Sequence, residues 1–488
     1  VRQDQRRAVR VVEEDVMTEL DDDARVVHRS VEERRAIGKQ ARVDLPLDAH
    51  AEIGAVPGRD VVGLLTEQAA DRLPELVPIR HGRMSSSTFA FLRGAALPMA
   101  VDLASSPTST LTTQLCGDAH LSNFGFFASP ERHLVFDLND FDETYPGPFE
   151  WDVKRLAASV EVAARGNGMK RSERRAAVVG AVASYRYTMR RLAKERNLAV
   201  WYDRVEYDDI LPWAQDKLGS KAFERLRRGA SYAVTRDSLH DLKKLTRDDG
   251  DGPRFVSRPP LLVAINDLAQ DADPEQVLGW LHVLQRRYRS SLQSDRRRLL
   301  EQFTLVDAAR KVVGVGSVGT RAWVMLLLGR DESDPLFLQV KEAQESVLAR
   351  VLGSGPRFRH QGERVVSGQR LMQSASDIFL GSLRAVARDG VERDFYVRQL
   401  RDWKMSASPE LMEPRTMTVY AQVCGRVLAR AHARGGDRVA IAAYLGSSET
   451  FDHAVADFAT AYADVTERDH AALVDAIGAG RVVAERGL

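Results

Sequence analysis

Two separated stretches of this sequence hold the residue types that phosphoryl transfer needs. The first runs Cys116-Gly-Asp-Ala-His-Leu-Ser-Asn123, then Phe136-Asp-Leu-Asn-Asp-Phe-Asp142, then Trp151-Asp-Val-Lys-Arg-Leu-Ala157. Moving a phosphoryl group to a hydroxyl takes a carboxylate to orient the hydroxyl and accept its proton. It also takes oxygen ligands for magnesium and positive charge against the phosphates. Hard divalent cations prefer carboxylate and amide oxygens. Asp118, Asn123 five positions on, and Asp140 across a short strand pair could supply a base and two metal ligands. Asp137 and Asp142 are rivals for the metal. His120 is compatible with catalysis and with structural support of the loop. A plain loop with Asp and Asn as turn formers is the alternative for this stretch.

The second stretch is Val312-Val-Gly-Val-Gly-Ser-Val-Gly-Thr-Arg321, followed by the apolar run Ala322–Leu328, a turn, and Leu336-Phe-Leu-Gln-Val-Lys-Glu-Ala343. Gly314, Gly316 and Gly319, with Ser317 between them, form a turn that lets backbone N–H groups approach phosphates. A dinucleotide-binding loop would pass directly into a helix. This one passes into a strand. Lys341 ends an apolar strand in a chain with 11 lysines among 70 basic residues. There it could reach phosphates as a compact charge. A tight hairpin with a snorkelling lysine is the alternative. The strand, glycine turn and lysine strand resemble the kinase arrangement, which implies a carboxylate from the next helix holding the lysine; Glu363 lies at a suitable separation, with Glu342 and Glu345 as nearer candidates.

Several elements must position these groups. Residues 1–60 read as a charge-rich helical arm, and 62–112 as globular chain containing Arg83 and Arg93. These two arginines fit either a phosphate or acceptor site or buried ion pairs. Strands and loops are expected over 113–151, and helices over 152–200 and most of 205–300. The Arg-rich helix 285–299 reads as a solvated face. Three strands are expected over 304–342, a helix over 361–376, a strand over 395–401 and an amphipathic helix over 416–433 that stops at Gly435-Gly436.

The run GDAHLSN resembles the GDxHxxN loop of aminoglycoside phosphotransferases and choline kinases, and Asp140-Phe-Asp142 resembles their magnesium-binding strand end. The resemblance implies Asp118 as catalytic base with His120 supporting it, Asn123 and Asp140 as magnesium ligands, and Asp152 at the start of a buried helix. It implies ATP held by the glycine turn, Lys341 and Glu363, with adenine at a hinge near Gln399 and Leu400. In such kinases the glycine turn comes first; here it comes last. Leu428-Ala-Arg-Ala-His-Ala-Arg434 resembles the helix that normally leads into the GDxH loop. The implied fold is α+β: a two-lobed protein-kinase-like fold, circularly permuted, with extra helical segments. Its parts would be an arm (1–60), a helical part with the catalytic loop (61–303), a β-rich part (304–405) and completing helices (406–488). RGAA, GDAHLSNFG, FDLNDFDET, GVGSVG, LQVKEA and YVRQLRD also resemble an uncharacterised bacterial family, domain-of-unknown-function family 2252, grouped with kinase-like proteins.

Composition narrows the class. With 44% hydrophobic and 28% charged residues, the chain is an ordinary globular one. A formal net charge of +1 gives no reason to expect nucleic acid or membrane partners. Two cysteines without CxxC spacing suit a reducing cytoplasm. The expected activity is ATP- and magnesium-dependent phosphoryl transfer to a hydroxyl of a small molecule. The alternatives are AMP transfer on the same fold and a nucleotide-binding regulatory pseudokinase. The retention of Asp118, Asn123, Asp140 and Lys341 together speaks against the last.

Overall fold

Short apolar runs separated by turn residues between 112 and 148 fold as four strands, as their alternation dictates. These are β1 (Thr112–Leu115), β2 (Phe124–Ala128), β3 (Leu134–Leu138) and β4 (Tyr145–Pro148). β1 pairs antiparallel with β4, and β2 with β3. The computed structural model describes residues 27–487 except 236–237, 249, 251, 269–273, 313, 354, 356–357, 387–389 and 401–402. The expected arm is thus described only from residue 27, where Ser30 and Glu33 form a capping box at the start of the helix Val31–Asp44. The remainder of the arm, and Val313 of the glycine stretch, lie outside the described residues.

The strand-rich part begins earlier than residue 304. β5 (Thr246–Asp248) and β6 (Pro253–Phe255) form a small hairpin, and β7 (Leu262–Ala264) joins the main sheet. That sheet continues with β8 (Thr304–Lys311), β9 (Ala322–Leu328), β10 (Pro335–Glu342), β11 (Gly381–Val386) and β12 (Glu392–Gln399). Its order is β11-β12-β10-β9-β8-β7, and every pairing is antiparallel. β13 (Met405–Ser406) instead pairs with β2, tying the end of this part to the β2–β3 hairpin. β10 is buried along its whole length. Its period of two sends Leu336, Leu338 and Val340 into one core and leaves Phe337, Gln339 and Lys341 on the other face.

Helices build the rest: α1 (Thr88–Gly94), α2 (Phe149–Gly166), α3 (Arg171–Leu192), α4 (Gln361–Met372), α5 (Pro414–Gly435) and α6 (Thr450–Gly478). Every residue of α2 from Phe149 to Ala164 is buried. Apolar faces of α2, α3, α5 and α6 close one large core that also takes in Leu115, Leu121 and Phe124. The Arg-rich stretch 285–299 is not one helix. It is the end of Pro274–Ser290 and most of Ser294–Leu300, with a break between them. α4 stops at Met372, four residues short of the expected end, because the chain turns there to bring Ser374 onto Asp137. The protein is therefore a mixed α+β fold with several antiparallel sheets. Among the described residues no helix is long and apolar enough to cross a membrane.

Candidate functional site

Three polar residues on α2, at i, i+3 and i+7, face the same side and hold the backbone and side chains of 116–121. The Asp152 carboxylate accepts from the amides of Cys116 and Gly117 at 2.8 and 3.1 Å. Arg155 donates from Nε to Asp118 Oδ1 at 2.8 Å, and its Nη2 lies 2.8 Å from the same oxygen. Ser159 Oγ accepts from the Leu121 amide at 3.1 Å. Gly117 is required here: its φ is +83°, and a Cβ would fall 2.2 Å from the Glu143 carbonyl oxygen. α5 supports the same loop from behind. His432 reaches Asp152 at 3.2 Å, and the Tyr420 hydroxyl donates to the carbonyls of Leu121 and Phe124 at 2.9 and 3.1 Å.

Asp118, His120, Asn123, Asp140, Gly314, Gly316, Ser317, Lys341 and Leu400 line one cavity of about 600 Å³. Asn123 Nδ2 donates to the Asp118 carbonyl at 2.7 Å, so its side-chain oxygen is the end left for a ligand. Lys341 Nζ lies 2.7 Å from Asp142 Oδ2 and 3.9 Å from Asp140 Oδ2. Asp142 also accepts from the Tyr396 hydroxyl at 2.6 Å and the Ser317 hydroxyl at 3.1 Å. Tyr396 stands directly opposite Lys341 in the β10–β12 register, and Arg398 opposite Gln339. Cross-strand pairing therefore brings all four onto the cavity side of the sheet.

Glu363, Gly319 and Gln399 lie outside the cavity lining, and the rival carboxylates Glu342 and Asp137 are held by arginines. Glu363 does not hold Lys341. Its carboxylate accepts from the Arg359 amide at 2.8 Å and faces the Arg359 guanidinium, capping the start of α4. The next residue is the one that reaches the site: Arg364 donates to the carbonyls of Asp142, Thr144 and Gln344 at 2.9, 2.7 and 2.8 Å. Glu342 is taken by Arg321 at 3.2 Å, on the opposite face of β10 from Lys341. Gly319 sits outside the cavity lining. It has φ +90° and accepts from the Leu73 amide at 2.8 Å, so it shapes the turn. Gln399 lines a neighbouring cavity, shared with Arg398 and Leu400, and not this one. Asp137 is fully buried, binding Arg430 and the amide and hydroxyl of Ser374, which removes it from contention for a metal.

The electrostatics divide the carboxylates into roles. Burial pushes Asp118 above the usual carboxylate range, against the pull of Arg155. Burial and the neighbouring Asp142 raise Asp140 as well. Burial would raise Asp142 too, but the charge of Lys341 and the hydrogen bonds from Lys341 and Tyr396 hold it below its ordinary value. For Lys341, burial works to lower the ammonium, and the two carboxylates outweigh it and raise it. His120 is pushed far below its ordinary value by burial and by Arg155 and Arg93, so its ring is neutral. Its Nε2 lies 3.6 Å from Asp118, and its Nδ1 is buried without a partner. Glu143, beside Asp142, is raised to about 7 by burial although the Val347 amide donates to it.

Among the described residues no group of three or more His, Cys, Asp or Glu is arranged to hold a metal by itself. Asp140 and Asn123 suit only a cation that keeps waters and takes oxygens from its substrate, as magnesium does. Arg155, Ser159, Tyr396 and Arg364 were missed in the sequence. The first two had a signal, polar residues at three- and four-residue spacing within an apolar helix. Neither a curated protein nor a solved structure matches the chain. The family model described as an uncharacterized protein conserved in bacteria (DUF2252) matches residues 72–476, which include every residue named above as lining the cavity. The chain belongs to that bacterial family.

Proposed function

We propose that this protein is an ATP- and magnesium-dependent phosphotransferase acting on a hydroxyl of a small molecule, built as a circularly permuted, two-lobed kinase-like fold. One observation carries the reading. Lys341 of β10 and Asp142, 199 positions apart in the chain, meet at 2.7 Å in a cavity also lined by Asp118, Asn123, Asp140 and the glycine turn. Packing of α5 against the 116–124 loop, through Tyr420 and His432, supports the permutation, because the sequence LARAHAR then ends beside the loop it would ordinarily precede.

Magnesium-ATP, when bound, supplies the phosphoryl group and neutralises the charge that develops on it. Asp140 and the Asn123 side-chain oxygen would hold the metal, and Lys341 and the amides of 314–317 the phosphates. A raised Asp140 beside Asp142 is a carboxylate that gains from a cation. Asp118 would orient the acceptor and take its hydroxyl proton on Oδ2, the oxygen that Arg155 leaves open by bonding Oδ1. Neutral His120 packs behind that oxygen without competing for the proton. Asp142 keeps Lys341 in place, a role that the helix carboxylate Glu363 does not fill.

The test is Asp140→Ala followed by titration calorimetry with ATP, with and without magnesium. The expected result is loss of the magnesium-dependent part of binding, with circular dichroism unchanged. Unchanged magnesium dependence would remove Asp140 from the metal role. Product analysis with ATP labelled at the α- or γ-phosphate distinguishes phosphoryl from AMP transfer.

A further inference from the structure

One end of the cavity carries arginines whose charge is met only in part, Arg93 by Glu410 and at longer range by Asp118, and Arg72 by carboxylates that have nearer partners. The helix Val77–Met84 and α1 pack onto the glycine turn, with Leu76, Ile79 and Val318 in one cluster and Met84, Phe91 and Val315 in another. Behind that packing Arg80 is fully buried. Its Nη2 donates to the Gln68 side-chain oxygen and the Gly94 carbonyl at 2.8 Å each, while Nε and Nη1 have no partner. Arg72, 5% exposed, lines the cavity and donates to the carbonyls of Gln68 and Val318. Arg93 also lines the cavity; its Nε is buried without a partner, and its nearest carboxylate is half-exposed Glu410 at 3.8 Å.

Carbonyl oxygens orient a guanidinium but do not cancel its charge, and a buried charge left without a counter-ion is costly. Asp142, Glu342 and Glu143 act on Arg72 at longer range, and each has a nearer partner in Lys341, Arg321 and the Val347 amide. We infer that the end of the cavity bounded by Gln68, Arg72, Arg93 and Gly316 is an oxyanion subsite that takes a phosphate group. Arg72 and Arg93 touch the anion, and buried Arg80 adds to the field and fixes Gln68. The inference deepens the phosphotransferase reading, on which it rests for the occupant's source. That source is either the terminal phosphate of the nucleotide or a phosphate carried by the acceptor.

The test is calorimetric titration of the metal-free protein with inorganic pyrophosphate, repeated on Arg93→Gln and Arg72→Lys. Wild type should bind the probe, and Arg93→Gln should weaken it about tenfold or more, the loss of one charge-assisted contact. Arg93 is partly exposed, so that variant carries the test should Arg72→Lys fail to fold. Absence of binding at millimolar pyrophosphate, or binding by both folded variants as tight as that of wild type, overturns the subsite. Repeating the titration with a non-hydrolysable ATP analogue and magnesium separates the sources: competition assigns the subsite to the nucleotide, and simultaneous binding assigns it to the acceptor. Arginine-dependent pyrophosphate binding without magnesium-ATP binding would sink the phosphotransferase reading alone. Magnesium-ATP binding through Asp140, with the arginine variants unaffected toward pyrophosphate, would sink the subsite alone.

Discussion

On the helical wall of the cavity, Asp118 is gripped by Arg155, 37 positions along on a helix buried on all sides. On the sheet wall, Lys341 is gripped by Asp142, 199 positions away and in the other part of the chain. Both contacts join an acid to a base at under 3 Å. Their consequences differ. The first pair belongs to one rigid support, where a helix presents Asp152, Arg155 and Ser159 in a row, so it sets the direction of a carboxylate. The second spans two supports and sets the distance between them. Orientation on one side and separation on the other are the two quantities a transfer reaction needs fixed.

Three substitutions press on that contrast. Asp118→Asn changes no packing and keeps the amide within reach of the loop. Under the proposed function it should preserve ATP affinity and lower turnover by about two to four orders of magnitude, read as ATP hydrolysis or autophosphorylation where the acceptor is not in hand. Near-normal turnover would take the base role from Asp118. Lys341→Met tests the spanning pair. It leaves Asp140 and Asp142 facing each other without their cation, which should cost about 3 kcal/mol in urea unfolding. A loss below about 1 kcal/mol would mean that the walls are held apart by packing alone. Restoration by adding Asp142→Asn would pin the loss on the unpaired carboxylate.

The smallest effect concerns Glu143, at the seam between the walls. Its carboxyl is raised from 4.5 to about 7 in the folded state, so folding favours the protonated form. Stability from this group is therefore complete below pH 4.5 and falls as pH rises through 7. Glu143→Gln should flatten that part of the pH profile by on the order of 1 kcal/mol, since the group lies partly open to the cavity. Melting temperatures at pH 5 and pH 8 check it. A wild-type profile as flat as the variant's would contradict the raised carboxyl.

Much of the site was legible from local pattern. The GDAHLSN run, the NDFD strand end, the glycine turn and Lys341 all line one cavity, and the three strands between 304 and 342 form as expected. What failed needed tertiary information. Glu363 was chosen by separation alone, yet the phase of α4 turns Arg364 inward and Glu363 toward Arg359. Of the two residues placed near a hinge, Leu400 lines the cavity, while Gln399 lines the neighbouring one. Asp142 was weighed as a metal ligand, while its lysine partner came from a strand whose facing could not be known. β7 was lost in a stretch read as helical because three residues carry too little periodicity.

The reach of Tyr420 to the 116–124 loop, and of His432 to the Asp152 that holds it, has a consequence for the growing chain. A ribosome releases residue 118 long before residue 432. The emerging loop has Asp152 within 36 positions to settle its amides, but nothing yet to settle Asp152 itself. That waits for a histidine made after the glycine turn and after the sheet. The nascent protein can thus complete the glycine turn and the sheet before Asp152 and the 121–124 carbonyls are braced, and that last brace arrives with α5. An order of synthesis that leaves α5 late gives incomplete chains a cavity whose 116–124 wall is not yet held from behind.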